Sequence, residues 1–375
     1  MLRQSAIDDL IDRVNREVDE GLLPSCQLAI GYEGEVVEAV TVGDTPAADD
    51  TRYVMYSATK AIVASAIWQL LAEGSLQLGD RISEHIAEFG ENGKEEITLE
   101  QVLLHTSGFP HAPLSPRVWA DRDARVATFA KWRTNWAPGT SFEYHPTSAH
   151  WVLAELLARV DGVDHRESVA RRVLEPLGLK RLALGVPAAD QGDIATVRHV
   201  GEPATSEELL AVLGVESIDV GEVTEEALLL FAEPANLEVG VPGGGGVSTA
   251  SDLARFYQAL LHNPGGLWDP AWLASATGEV RNTFPDRMTG VPANRTIGLV
   301  VRGDDGHATH RGFGHVQSPR TFGHNGAGGQ LAWADPETGL SFAYFTNGLD
   351  RHIIREGRRG VGISSRAAAV AAAEH

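Results

Sequence analysis

The sequence predicts an α/β (α+β) fold, in which a sheet domain built from both ends of the chain is interrupted by a mostly helical domain. Three observations carry this expectation. Strand-like segments fall near the two ends, around residues 26–43 and 296–348. Helix-period patterns fill most of the interval between them. The length, 375 residues, suits about two structural units. The boundaries read as residues 1–80 and 290–375 for the sheet domain and 81–289 for the helical one, with the active site expected at their interface.

Each element has its own signal. Residues 5–19 place Ile7, Leu10, Ile11, Val14 and Val18 on one helical stripe. "CQLAIGYEGEVVEAVTVG" (26–43) reads as two strands around a Glu-Gly turn. Residues 57–73 form a helix that is nearly all apolar after Lys60, hence buried, and Gly74 ends it. In "ITLEQVLLH" (97–105), Thr98 stands three before Gln101, a capping box. "TSAHWVLAELLARVDG" (147–162) is amphipathic and stops at Gly162. "DHRESVARRVLEPLG" (164–178) opens on a cap-like Asp164, and "STASDLARFYQALL" (248–261) sets Thr249 three before Asp252. The last third turns to strands at 296–303, 328–336 and 340–348, with Pro336–Gly339 as a hairpin turn, before a final helix within 350–373.

Composition excludes several classes. Hydrophobic residues make up 43% and charged residues 22%, which is globular rather than disordered. A net charge of −20 argues against nucleic acid and anionic membrane surfaces as partners, since both want Lys/Arg patches. The single cysteine, Cys26, permits no intrachain disulfide and no multi-cysteine metal site, and its strand context predicts a buried thiol. The first 21 residues carry acidic side chains where a signal peptide needs basic and apolar regions. No apolar run reaches the roughly 18 residues of a membrane-spanning helix. The expectation is a cytoplasmic protein with no cofactor and no metal. It would act on a small molecule, and homo-oligomers are left open.

Three segments are candidates for chemistry. In "MYSATKAIVASAIWQLL" (55–71), Ser57 and Lys60 stand three apart at the start of a helix, on one face and about one turn from each other. A lysine desolvated near the positive helix end has a lowered pKa and can take the serine proton; a helix cap beside a surface lysine is the competing reading. Tyr144, in "APGTSFEYHPTSAHW" (137–151), sits in a loop directly before a helix, where a phenol can relay protons if cations are near. In "TFGHNGAGGQLAWADP" (321–336), His324 and Asn325 precede the small residues Gly326, Ala327, Gly328 and Gly329. These permit close approach to the backbone, whose N–H groups can serve as oxyanion donors; a glycine-rich hairpin turn is the alternative.

Taken together, and in this order, these segments resemble the serine β-lactamase and penicillin-binding-protein-like hydrolases. The likeness is carried by "YSATKAIVASAIWQLLAEGSLQLGD", "ITLEQVLLHTSGFP", the Tyr motif after "PGTSFEY", "VPGGGGVSTASDLARFYQALL" and "FGHNGAGGQLAWADPETGLSFAYFTNG", over roughly residues 20–350. With His where other branches have Lys, "FGHNGAGGQ" is most similar to the esterase-like branch, the family VIII carboxylesterases. The resemblance implies a β-lactamase-like fold with a mainly antiparallel sheet flanked by helices. It also implies the roles. Ser57 would be the acylated nucleophile. Lys60 would be its proton acceptor or would tune Tyr144. Tyr144 would be the base for acylation and the activator of water. His324 would hold the position of the third-motif cation. The amides of Ser57 and Ala327 would form the oxyanion hole. His145, Asn325, Gly326 and Gly328 would contact substrate.

One departure matters. The family's Tyr-x-Asn is here Tyr144-His145-Pro146, and Pro146 has no side-chain amide to hold an amide substrate. The expected activity is therefore cleavage of short-chain carboxylic esters, ahead of a β-lactamase, D-amino-acid peptidase or amidase, or acyltransferase, and further ahead of a non-catalytic binding or sensor module. Other features read blandly. "GGGG" (243–246) is a flexible turn rather than a phosphate loop. His307, His310 and His315 are exposed loop residues rather than metal ligands. His105 is structural in the "HTSG" turn. Trp119, Trp132 and Trp136 either line an acyl cleft or pack the helical domain.

Overall fold

A computed structural model describes residues 2–46, 48–218, 221, 223–287 and 289–371. Its centre is a six-stranded antiparallel sheet. In spatial order the strands are Glu35–Gly43, Ser25–Tyr32, Leu340–Thr346, Leu331–Asp335, Phe322–Gly323 and Val300–Val301. The first strand of the chain thus pairs with one of the last, Cys26 opposite Thr346 and Ile30 opposite Phe342.

Alternation along these strands feeds two separate cores. Cys26, Leu28, Ile30, Trp333, Phe342 and Tyr344 face the helices Gln4–Asp19 and Ile353–Ala369, which contribute Leu10, Val14 and Ile363. Ala29, Ala332, Ala343 and Phe345 face the other way, toward the helix Ala250–His262 and its Ala254 and Tyr257. Small residues on that face let the helix lie close, and the Gln258 side-chain amide and the Ser341 hydroxyl pin it there (3.1 Å). The Cys26 thiol is buried against the Tyr344 hydroxyl (3.0 Å), and burial pushes its pKa up to about 12, so it is an inert core residue.

Two elements cross the boundaries read from the sequence. Ala250–His262 lies within 81–289 yet packs on the sheet, because its apolar stripe matches the small-residue face. Thr59–Ala72 lies within 1–80 yet runs through the helical layer, against Ser148–Asp161 and Pro270–Gly278. It is buried on every side as far as Leu71 except at Gln69, as its lack of a polar face dictates.

Local signals hold in detail. Thr98 and Gln101 form the capping box, Asp164 and Thr249 cap their helices, and Gly162 ends Ser148–Asp161 in the left-handed conformation. The segment after Asp164 is helical only to Val169 and then widens into a π-helical turn over Ala170–Leu174. The strand expected over 296–303 shrinks to Val300–Val301. Before it, Thr296–Leu299 is a buried turn, and the Trp68 indole N–H takes the Ile297 carbonyl (2.7 Å) that a longer ladder would use.

The first and last helices are tied by a buried charge network. Arg359 donates to Glu17 (2.6 Å) and to Asp350 (2.7 Å), while Arg355 also holds Asp350 (2.7 and 2.6 Å). Removing one partner of such a network leaves charges buried without compensation. Arg359→Met is therefore expected to destabilise the fold by about 3–5 kcal/mol, measured as a lower urea midpoint; an unchanged midpoint would refute this account.

Candidate active site

The short strand Tyr53–Val54 pairs with Gly246–Ser248 and leads into the turn Tyr56–Ala58, directly before Thr59–Ala72. Tyr56 has φ 45°, a costly conformation for a bulky residue of the kind that marks functional turns. The turn puts Ser57 on the wall of a cavity of about 380 Å³. Trp119, Phe231, Leu114, Leu228 and Pro146 also line it, and no charged side chain among the described residues does.

Lys60 is the single charged residue of its helix and is fully buried. Its Nζ lies 3.1 Å from Ser57 Oγ and 2.5 Å from the Gly243 carbonyl. Burial, reinforced by the positive charge of Arg295, holds its pKa well below the ordinary lysine value. A neutral amine so placed donates to Gly243 and keeps its lone pair for the serine proton. The glycine run at 243–246 is thus a buried ledge rather than a flexible turn: Gly243 anchors the lysine, and the Gly246 N–H donates to the Thr59 hydroxyl (3.1 Å).

Tyr144 comes from the loop before Ser148–Asp161. Its hydroxyl is directed at Ser57 without closing a hydrogen bond. Lys60 Nζ lies 5.1 Å from its ring centre and the Arg295 guanidinium carbon 4.9 Å. Burial pushes the phenol pKa up to about 12, while Arg295 and Ser57 pull it down. The resting group is a phenol, and the guanidinium lies where it would stabilise charge developing on the oxygen. Sequence reasoning missed Arg295. It sits in an irregular bridge to Asn282, carries no motif, and meets Tyr144 only through the fold.

His324 does not supply the expected positive charge. Burial, Arg295 and Lys60 together hold its pKa well below the normal histidine value. Its Nδ1 lies 3.0 Å from the Asn325 carbonyl, which assigns the proton there, and its Nε2 has no partner among the described residues. The ring stands 6.0 Å from that of Tyr144. The fixed cation beside the phenol is Arg295.

Three residues expected to contact substrate are turned elsewhere. His145 is fully buried; its Nε2 meets Ser107 (3.1 Å) and the Phe109 N–H (3.2 Å), and its Nδ1 meets the Glu143 carbonyl (2.7 Å). It is a wall residue that staples the "HTSG" turn, helped by His105, which accepts the His145 N–H (3.2 Å). Asn325 spends its amide on the backbone of Gly312 (2.6 Å) and Ala332 (2.9 Å). Gly328 makes room for Leu349, whose side chain a Cβ would strike. Gly326 gives its N–H to the Gln330 carbonyl (3.0 Å), and its missing Cβ lets this edge lie against the Met55 carbonyl beside the Ser57 turn. Ala327 alone of the group lines the cavity with Ser57, and its N–H has no acceptor among the described residues.

Of the tryptophans, Trp119 lines the cavity, Trp132 packs on Phe109 and Phe129, and Trp136 lies beneath Arg287. Among the described residues, no group of three or more His, Cys, Asp or Glu is arranged to hold a metal ion, and no helix is long and apolar enough to cross a membrane.

Comparison with known proteins agrees with this fold. The Beta-lactamase family model matches residues 10–360. The esterase/beta-lactamase LipL of Mycobacterium tuberculosis is 29% identical over 86% of this chain and 76% of its own length. A penicillin-binding protein homolog from Caulobacter crescentus superposes with a TM-score of 0.78 at 27% identity, over 97% of each chain. A family VIII carboxylesterase superposes equally well (TM-score 0.78, 96% and 97% covered) at 23% identity, which speaks for the fold alone.

The buried histidines make stability depend on pH. His105, His150 and His324 are held well below the normal value and His145 at about 3, in each case mainly by burial. Below the unfolded pKa of about 6.5 the unfolded chain binds more protons than the folded one, so stability is complete above that pH and lost as it falls. Each histidine contributes up to about 1.4 kcal/mol per pH unit in that window. Tm should drop between pH 6.5 and 5, before ordinary carboxylates titrate, and less steeply in His145→Gln; a flat Tm there would contradict the burial of these rings as neutral groups.

Proposed function

The chain belongs to the Beta-lactamase family, and from that premise we propose that it is a serine hydrolase that cleaves short-chain carboxylic esters through an acyl-enzyme on Ser57. The observation that carries the reading is the buried Lys60 amine, 3.1 Å from Ser57 Oγ at the edge of an uncharged cavity, where burial holds its pKa well below the ordinary lysine value. Lys60 takes the Ser57 proton as Oγ attacks the ester carbonyl. The oxyanion that forms is met by the N–H groups of Ser57 and Ala327. Tyr144 passes a proton to the departing alkoxide, with Arg295 easing the negative charge its oxygen carries during transfer. Water then enters, gives its proton back through Tyr144 and Lys60, and releases the acid.

Two features favour an ester over an amide or β-lactam. Pro146 lines the cavity where an asparagine amide would hold an amide substrate. The third-motif position carries a neutral His324, which offers no charge to a substrate carboxylate. β-Lactam cleavage is the second reading. It rests on the name of the relative LipL, an esterase/beta-lactamase, and would use the same acyl-enzyme.

Ser57→Ala should lower turnover of a p-nitrophenyl short-chain ester by at least about a thousand-fold; retained activity would remove the nucleophile assignment. Arg295→Met should cut kcat on the order of ten-fold or more with little change in KM, because it acts on charge present only during proton transfer. An equal effect on KM would make Arg295 a binding residue instead. In the wild type, a β-lactam or D-amino-acid amide cleaved as fast as the ester would favour the second reading.

A further inference from the structure

The helix Glu225–Phe231 is out of keeping with its sequence. Its last five residues, Ala227-Leu228-Leu229-Leu230-Phe231, are all apolar, and such a run is ordinarily driven fully into a core. Here all five stay half-buried. For four of them the cause is the cavity beside Ser57: Ala227, Leu228, Leu230 and Phe231 form one wall of it. That wall is braced from the Ser57 turn. The hydroxyl of Tyr56, one residue before Ser57, donates to the Leu228 carbonyl (3.1 Å). The Phe231 ring is held between Tyr56 (ring centres 6.3 Å apart) and Trp119 (5.5 Å), and its edge would be 3.0 Å from a Cβ built on Gly244. The fold thus keeps apolar surface open at the serine, and an apolar group that enters would bury it.

The two sides of Ser57 differ. Among the described residues, neither Lys60 nor Tyr144 lines the cavity. An ester bound for attack presents two groups to this asymmetry. The leaving oxygen must stand within reach of Tyr144, which gives it a proton. The acyl group is then the part left to enter the cavity. At roughly 30 Å³ for each water-sized group, a volume of about 380 Å³ is room for about a dozen heavy atoms, and for fewer in a linear chain that leaves corners empty. An acetyl group would leave most of it unfilled.

We propose that this cavity is an acyl site for an unbranched apolar chain of roughly six to ten carbons, the upper end of the short-chain range, and that the helix Glu225–Phe231 sets that length. This rests on the acyl-enzyme reading above. It places the selected chain on the acid half of the ester and leaves the alcohol half outside the cavity. It also disfavours charged acyl groups such as an aminoacyl group, which would find no charged partner among the described lining residues.

The test measures kcat/KM on p-nitrophenyl acetate, butyrate, octanoate and dodecanoate. It also compares ethyl octanoate with octyl acetate, isomers that carry the long chain on opposite halves of the ester. In the wild type the value should rise about two- to four-fold per added methylene from acetate to octanoate and fall again at dodecanoate. Ethyl octanoate should be cleaved at least about ten-fold faster than octyl acetate. Ala227→Trp, which fills the cavity from its helical wall, should lower the octanoate-to-acetate ratio at least about ten-fold; a general folding defect would slow both esters alike. A flat or falling profile from acetate to octanoate would overturn the proposal, as would a rise that continues through dodecanoate. Octyl acetate cleaved as fast as ethyl octanoate, or an unmoved ratio in Ala227→Trp, would overturn it equally. Should that variant not fold, the wild-type profile and the isomer pair decide. A wild type inactive on every one of these esters would instead defeat the reading on which the proposal rests.

Discussion

The complete burial of the Lys60 amine is the constraint on which the rest of the structure depends. A lysine at this depth forfeits stability, about 1.4 kcal/mol for every unit of its pKa depression that lies above the working pH. The fold arranges its neighbours around that cost. The helix carrying it has no other charge and is enclosed almost completely. The glycine ledge supplies a carbonyl where any side chain would crowd the Pro146–Thr147 backbone, from which a Cβ on Gly243 would be only 3.0 and 3.3 Å away. A second cation, Arg295, stands near enough to disfavour protonation of the amine. In the proposed reaction the nucleophile is activated by what surrounds its base, and the spacing of Ser57 and Lys60 only brings the two within reach.

The same electrostatic logic explains the histidines. Four imidazoles lie around the site, and each is kept neutral by depth and by the cations beside it. They act as hydrogen-bonding and space-filling groups rather than as charges. No carboxylate lines the cavity among the described residues, although the chain carries a net charge of −20. The acidity of the molecule therefore lies away from this cavity. On the proposed reading, a neutral ester would meet no penalty on entering, whereas a carboxylate product would leave a site without a salt-bridge partner and pass into a surface field of its own sign.

Much of this was legible in the sequence, for a physical reason. Ser57 and Lys60 are one helical turn apart, so their proximity is a local property of the chain. The hairpins, caps and amphipathic stripes are local in the same sense. Tyr144 and the Gly326–Ala327 edge were found because they stand in a characteristic order. What could not be read was any contact between distant, unremarkable segments. The Gly243 carbonyl meets Lys60 across 183 residues of sequence; Arg295 reaches the site from an irregular bridge. The errors have the same origin. His145 and Asn325 stand next to functional positions in the chain, but a neighbour in an extended segment points the opposite way, and their side chains serve the wall behind the site. His324 occupies the expected place, yet its charge is decided by burial, which no motif encodes.

The pairing of Ser25–Tyr32 with Leu340–Thr346 has a consequence for the life of the chain. On a ribosome, the segment holding Ser57 and Lys60 emerges early, but the central sheet cannot close until the last strands have followed it out. Until then the hairpin of residues 25–43 exposes an unpaired edge, and the turn bearing Ala327 has not been made. A topology of such long sequence separation folds slowly and late. The protein is accordingly assembled whole, after synthesis, and no nascent fragment brings the Ser57 turn and the Ala327 turn together.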